Sequence, residues 1–233
     1  MKTIGLLGGM TSESSLVYYK LINAMAREKL GGSHSARSVM VSVDFGEVEP
    51  LMESGRWDEV RAAMIETSRA IERGGADLLV ICTNTMHKFA DEIGRGIGIP
   101  IVHIVDATAL EIKKAGFSRV GLLGTRFTME EKFYSDRLRE KHGIASLTPA
   151  KEDRERVHRV IMDELSRGIV TAASRDAYWR IINDLVAQGA QAIILGCTEI
   201  PLLVTQQPGG IPLFDTTTIH ARAAVEFALA NPL

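Results

Sequence analysis

The chain has 233 residues, of which 45% are hydrophobic, 24% charged and 6% aromatic, a length that fits one large domain or two compact ones. Lys and Arg number 27 against 29 Asp and Glu, so the net charge of −2 gives no electrostatic footprint for nucleic acid or an anionic membrane. The apolar runs are too short to span a bilayer, and glycines interrupt the first run too early for a signal peptide. Two cysteines do not make a disulfide framework. We expect a soluble, globular, cytoplasmic protein.

Short apolar runs alternate along the chain with longer stretches of helical periodicity. The runs at 4–9, 75–83, 99–102, 120–125, 189–197 and 211–214 predict strands, and the stretches 14–30, 57–74, 130–143 and 174–189 predict helices. Gly75 and Gly189 stand where a helix usually ends on a left-handed residue. A crossover near 106–116 leads into the second half, and a last helix over 216–230 is expected to return to the first. Continuous apolar strands alternating with amphipathic helices are typical of a parallel sheet covered on both faces.

Three apolar blocks occur twice, in the same order. The block IGLLGG at 4–9 returns as VGLLGT at 120–125, GADLLVICT at 75–83 as GAQAIILGC at 189–197, and IPIV at 99–102 as IPLF at 211–214. Such order and spacing indicate a duplication. We predict an α/β fold of two pseudo-symmetric, doubly wound domains with parallel sheets. The first domain would comprise 1–105 plus 216–233 and the second 106–215, with the active site in the cleft between them.

In parallel α/β sheets, ligands bind beyond the carboxyl ends of the strands. Thr83 and Cys197 take matching places in the repeat, so they are expected at equivalent strand ends. Cys197 precedes what looks like a helix start, and a helix N-terminus lowers the pKa of a thiol; a buried structural cysteine is the equally weighted alternative. Cys82 lies one residue before Thr83 and should face the opposite way, into the core.

The remaining polar motifs are less informative. The loop at 8–14, GGMTSES, lacks the Lys of a phosphate-binding loop. It could hold a carboxylate on its backbone N–H groups, or Thr11 or Ser12 could simply cap the next helix. His87 comes just after the turn at Thr83, where a structural role is favoured over one in orienting its neighbours. The histidines form no metal-ligand pattern, so no metal is expected.

Four segments together resemble the aspartate/glutamate racemase family, and its aspartate-racemase branch in particular. They are IGLLGGMTSESS at 4–15, YYKLIN at 18–23, NTMH at 84–87 and GCTE at 196–199, and the similarity runs over nearly the whole chain. The resemblance implies two pseudo-symmetric α/β domains, an amino-acid substrate, no pyridoxal phosphate or other cofactor, and commonly a homodimer. It also implies a mechanism in which one group removes the α-proton and another returns a proton to the opposite face.

Carried onto this sequence, the resemblance implies Cys197 and Thr83 as the catalytic pair. The residues that it implies for the α-carboxylate and α-amino group are Asn84, Thr85, Thr125, Thr198 and Glu199, and Met10 would make backbone or packing contacts beside the glycine loop. The alternative is that Asn84, Thr85 and Thr198 only satisfy strand-to-helix turns. A side-chain carboxylate would need a cation, for which Arg167 and Arg126 are candidates, although both could be solvated surface charges.

The sequence departs from the family pattern at Thr83, where relatives normally carry a cysteine. A hydroxyl holds its proton more tightly than a thiol, so we expect Cys197 to remove the α-proton and Thr83, or water it positions, to return one. Since the second-half thiol of the family works on the L-enantiomer, a preference for L-amino acids is expected. Some relatives carry a basic residue near Val48. The absence of a basic residue at Val48 here argues against strict selection of a dicarboxylate, so a broader amino-acid range stays open, with aspartate or glutamate as the first choice of substrate.

Two alternatives to a racemase remain. One is a single-thiol isomerase or decarboxylase of small dicarboxylic acids, which the Gly-Gly-Met signature disfavours. The other is a non-catalytic protein that binds an acidic metabolite, which the presence of Cys197 within Gly-Cys-Thr-Glu disfavours. Solvent isotope exchange separates them, because a binding protein takes up no deuterium.

Overall fold

The computed structural model describes residues 1–230, and its internal contacts divide the chain into two compact units. The first unit comprises residues 1–103 together with the chain from His220 on, and the second comprises Ile104–Ile219. The sequence-based assignment of two domains, 1–105 with 216–233 and 106–215, stays a prediction. The last three residues of the chain, 231–233, lie outside the described residues.

The first unit is built on a parallel sheet in the order β2-β1-β3. Its strands are β1 (Ile4–Gly8), β2 (Ser38–Ser42) and β3 (Leu78–Ile81). Its helices are α1 (Ser12–Leu30), α2 (Phe45–Glu53), α3 (Trp57–Arg73) and α4 (Ala90–Gly96). The block predicted as a strand at 99–102 makes only one parallel bridge, between Leu79 and Ile101, because the chain turns into the next helix directly afterwards.

The second unit repeats this order, with a sheet β5-β4-β6-β7. Its strands are β4 (Arg119–Gly124), β5 (Ala145–Leu147), β6 (Ala192–Gly196) and β7 (Leu213–Asp215). Its helices are α5 (Ile104–Lys114), α6 (Arg126–Glu130), α7 (Lys132–His142), α8 (Lys151–Asp163) and α9 (Ala172–Ala187). All strand pairs in both sheets are parallel, so the α/β fold with two parallel sheets is confirmed.

The duplicated glycines explain why the IGLLG and VGLLG blocks recur. A side chain at Gly5 would lie 2.4 Å from Ile71 Cγ2 of α3, and one at Gly121 would lie 2.6 Å from Ile193 and 3.0 Å from Leu185 of α9. Each glycine therefore lets a helix of its own unit approach the sheet. The same packing solution appears in both units, as expected of a duplicated chain.

The last helix, α10 (Thr216–Ala230), has the predicted bounds. Its apolar face, which includes Ala221, Ala224 and Val225, is buried in one core with Ile4 of β1 and Leu78 of β3. From His220 on, the helix thus belongs to the first unit.

Candidate functional site

The glycine loop after β1 closes on its own helix. Gly9 has a φ of 96°, and a side chain there would lie 2.1 Å from the Val43 carbonyl oxygen. Its N–H donates to Ser15 Oγ at 2.8 Å, and the Thr11 hydroxyl caps α1 by accepting from the Ser14 N–H at 3.3 Å. Helix capping, one of the two interpretations that the sequence left open, is therefore observed at Thr11.

The segment after β3 carries the predicted first-unit site residues. Cys82 is fully buried in the core, as predicted, and burial raises the pKa of its thiol. Thr83 keeps a partly exposed side chain, while its main chain is held on both sides: its N–H donates to the Ile81 carbonyl and its carbonyl accepts from His87 Nδ1, each at 2.8 Å. The buried His87 is therefore hydrogen-bonded, as expected of a structural histidine.

The other predicted residues of the first unit lie close to Thr83 in the chain or at the neighbouring strand end. Asn84 and Thr85 are buried at the start of a 3₁₀ turn, Thr85–Phe89, and Met10 is buried in the loop after β1. Ser14 connects the two strand ends, because its hydroxyl donates to the Thr11 carbonyl at 2.9 Å and to the Cys82 carbonyl at 3.2 Å.

In the second unit, Cys197 comes directly after β6 and pairs with a carboxylate. Its thiol donates to Glu199 Oε2 at 2.9 Å, and Glu199 is only 7% exposed. The expected lowering of the thiol pKa is wrong. The chain continues into a 3₁₀ turn, Ile200–Leu202, instead of an α-helix, and the pKa of Cys197 is raised by burial and then by the charge and hydrogen bond of Glu199. Backbone N–H groups of Thr198 and Glu199 lower it by less.

Tyr178 of α9 is a buried neighbour of this pair that sequence reasoning missed. Its hydroxyl donates to the Val157 carbonyl at 3.0 Å. Burial raises the pKa of the phenol, and the acidic groups of Cys197 and Glu199 add to the effect. A tyrosine in the middle of an amphipathic helix has no local signature, so only the fold identifies it.

The remaining predicted residues of the second unit take different positions. Thr125 comes after β4 and caps α6, its hydroxyl lying 3.3 Å from that of Thr128. Thr198 is partly buried beside Cys197, whereas Arg167 is exposed in a 3₁₀ turn, Leu165–Arg167. Thr125, Cys197 and Thr198 thus lie at the carboxyl ends of adjacent strands, as the sequence predicts.

The described residues 1–230 carry neither a metal-binding cluster nor a membrane-spanning helix. They contain no group of three or more His, Cys, Asp or Glu side chains arranged to hold a metal ion. None of their helices has both the length and the apolar character needed to cross a membrane.

Comparison with known proteins identifies the family of this chain. The family model for Asp/Glu/hydantoin racemases matches residues 7–224. A Yersinia pestis crystal structure described as an Asp/Glu racemase is 51% identical with a TM-score of 0.92, over 98% of this chain and 100% of that one. An aspartate racemase homologue from Pyrococcus horikoshii is 36% identical with a TM-score of 0.84, over 98% and 100%. The broad specificity amino-acid racemase of Bacillus subtilis is 24% identical over 180 residues, 74% of each chain. The predicted resemblance is therefore confirmed, and the chain belongs to the Asp/Glu/hydantoin racemase family.

Proposed function

We propose that this protein is a cofactor-independent racemase of aspartate, glutamate or both, and that it acts preferentially on the L-enantiomer. The observation that carries the proposal is the hydrogen bond of 2.9 Å between Cys197 Sγ and Glu199 at a strand end of a chain that belongs to this family. Thiol and carboxylate together supply a base for the α-proton.

The first half of the reaction belongs to this pair. Because the pKa of Cys197 is raised, the resting group is a thiol, and Glu199 takes its proton through the existing hydrogen bond. The thiolate then removes the α-proton of the L-amino acid, and the electron pair of the broken C–H bond stays on the α-carbon. Hydrogen-bond donors that are already oriented must stabilise this carbanion-like state.

The second half belongs to Thr83, or to a water molecule that it positions. A proton from that hydroxyl forms the new C–H bond on the opposite face; solvent then returns a proton to the hydroxyl, and the protonated Glu199 releases its proton to solvent. The reaction is redox-neutral, so no redox partner is needed. A hydroxyl is a weak initial base, which is the reason to expect faster turnover from the L-side than from the D-side.

Substrate binding is assigned by the family resemblance. Asn84, Thr85, Thr125 and Thr198 would hold the α-carboxylate and α-amino group, with Met10 beside the glycine loop. Arg167 is the proposed cation for the side-chain carboxylate, and its exposure leaves the guanidinium accessible. A cytoplasmic homodimer is part of the same proposal.

The test is α-deuteration of L-aspartate and L-glutamate in deuterated, reducing buffer without added cofactor. Deuterium is followed by NMR and the enantiomer by chiral chromatography, with Cys197→Ala as the control. D-product that carries α-deuterium, and that is lost in Cys197→Ala, is the expected result.

Other outcomes would redirect the assignment. Deuterium only in recovered L-substrate would mean that Cys197 works and Thr83 does not return a proton. If neither acid exchanges while neutral L-amino acids do, the substrate assignment is wrong and that of a racemase stands. If no amino acid exchanges, the racemase proposal fails.

A further inference from the structure

A connected group of buried aromatic side chains lies directly behind Thr83 and is not used in the proposed reaction. We call it the imidazole array; its members are Tyr18, His87, His103 and His220, all of them buried. The ring centroid of His87 lies 4.7 Å from that of His103 and 5.4 Å from that of His220, and those of Tyr18 and His220 are 5.6 Å apart.

Hydrogen bonds to carbonyl groups fix the tautomers in this array, because a carbonyl only accepts. His220 therefore carries its hydrogen on Nε2, which donates to the Val102 carbonyl at 2.6 Å. Its Nδ1 then accepts from the Tyr18 hydroxyl at 2.8 Å. Burial lowers the pKa of His220 to about 4, so this ring is neutral near pH 7.

The same reasoning applies to His87, with a different result. Its Nδ1 carries the hydrogen and donates to the Thr83 carbonyl at 2.8 Å. The main-chain N–H of His87 also donates to the Asn84 carbonyl, at 3.2 Å. The side chain and backbone of one residue thus hold two successive peptide groups at the strand end.

Stability alone is a poor explanation for such an array. Burying a polar ring costs free energy unless it is hydrogen-bonded, and apolar side chains of similar size would fill the same space without that requirement. What the imidazole of His87 adds is a donor at a defined point, and that donor fixes the carbonyl of the residue proposed to return the proton.

We propose that His87 is a positioning residue for the protonation step: its Nδ1–H, held in place by the rings of His103 and His220, fixes the peptide of Thr83 and so the direction of its hydroxyl. The inference rests on the proposed function and extends it to a residue that does not touch the substrate. Misplacing a reacting group by about 1 Å costs on the order of 100-fold in rate, so a small peptide rotation is sufficient to matter.

Three substitutions at His87 separate this role from simple packing. In His87→Asn the amide nitrogen stands where Nδ1 stood and keeps a donor for the Thr83 carbonyl. In His87→Gln the nitrogen is displaced toward the position of Nε2, and His87→Leu has no donor. His142→Leu is the control, because it removes a different imidazole, one that is partly buried and bound to Asp106 at 2.8 Å in the second unit.

The measured quantity is a ratio, obtained from L-substrate in deuterated buffer: α-deuterated D-product divided by α-deuterated L-substrate. Exchange into L-substrate reports the Cys197 face, and D-product requires the Thr83 face as well. We expect the ratio to fall about 10- to 100-fold in His87→Leu and His87→Gln, to stay within about 3-fold of wild type in His87→Asn, and to be unchanged in His142→Leu.

A purely structural role would lower both products together and leave the ratio unchanged. That result in His87→Leu would overturn the inference, as would an equal ratio for His87→Asn and His87→Gln. If His87→Leu fails to fold, the Asn and Gln variants, which differ only in the placement of one amide, decide the matter. Absence of D-product from the wild type would refute the proposed function, and this inference with it, whereas a racemising wild type with an unaffected ratio refutes only the inference.

Discussion

Replacing Glu199 by glutamine should move two properties of Cys197 in opposite directions. The substitution keeps the shape of the side chain and removes its charge and its ability to take a proton. The acceptor oxygen lies 2.9 Å from Sγ, within the range of about 2.6–3.2 Å that proton transfer to a general base requires. Turnover should therefore fall while the thiol becomes easier to ionise.

The expected fall in turnover follows from the role and the exposure of the Cys197–Glu199 pair. Loss of a positioned general base costs about 100- to 10,000-fold in rate. Because Cys197 is only partly buried, water can reach the thiol and take over part of the task. We expect a fall near the lower end, about 100-fold, in the rate of α-deuteration of L-substrate.

The second effect depends on the causes of the raised pKa. Burial is the largest cause, and the charge and hydrogen bond of Glu199 come next. Glu199→Gln removes the charge, leaves burial and keeps an amide oxygen that can accept from the thiol, so the pKa of Cys197 falls but stays above its ordinary value. Since the thiolate is the reactive form, alkylation by iodoacetamide at a fixed pH should become faster.

The assay combines both readouts on the same protein samples. Cys82 is fully buried, so alkylation of the native protein reports Cys197, and Cys197→Ala gives the background. Glu72→Gln is the carboxylate control, because Glu72 of the first unit accepts from the Gly98 N–H at 2.7 Å, a bond that glutamine can also accept, and it should leave both readouts close to wild type. Unchanged exchange in Glu199→Gln would show that Glu199 is not the proton acceptor, and slower alkylation would contradict the electrostatic account.

Three further predictions concern single side chains. Thr83→Cys should raise the initial rate with D-aspartate or D-glutamate at least about 10-fold, because a positioned thiolate base contributes at least that much; no gain, measured by chiral chromatography, would mean that Thr83 does not face the substrate as proposed. His220, whose pKa burial lowers from 6.5 to about 4, favours the folded state above pH 6.5, and this contribution, about 3 kcal/mol, is lost as the pH falls from 6.5 to 4. Urea unfolding should show a shallower pH dependence over that interval in His220→Gln, and an unaltered slope would refute the assignment. Asp106→Asn should lower the free energy of unfolding by about 2 kcal/mol, because Asp106 accepts bonds of 2.7 and 2.5 Å from Arg137 and one of 2.8 Å from His142; a change below about 0.5 kcal/mol would place the network among ordinary surface pairs.

Strand and helix positions were largely predictable because the relevant signals are local. The helix expected at 57–74 is observed as Trp57–Arg73, and the last helix as Thr216–Ala230, since apolar periodicity and terminal glycines act within a few residues. The edge strands β2 and β5 were missed. β2 is only partly buried, and its sequence SVMVS has just three apolar residues between serines, while β5 has three residues in all, so neither contains an apolar run as long as those of the predicted strands.

The positions of the predicted site residues at strand ends were likewise visible, whereas their surroundings were not. Alternation continued past the end of β3 predicted Cys82 in the core, because successive strand residues face opposite ways, and Cys82 is buried there while Thr83 keeps a partly exposed side chain. The direction of the Cys197 pKa shift was predicted wrongly. It depends on how deeply the thiol is buried and on the Glu199 carboxylate, and no rule of sequence spacing supplies either quantity.

By itself, the sequence determined an α/β chain with two parallel sheets, its family, and the strand ends that carry Thr83 and Cys197. These depend on short-range patterns and on a repeat that keeps its order. Only the tertiary structure decided the environments: Tyr18 and His220 meet across 202 residues of chain, and Tyr178 comes to lie beside Cys197. Hydrogen-bond partners and desolvation depend on distances in space, and such distances are set only when the chain has folded.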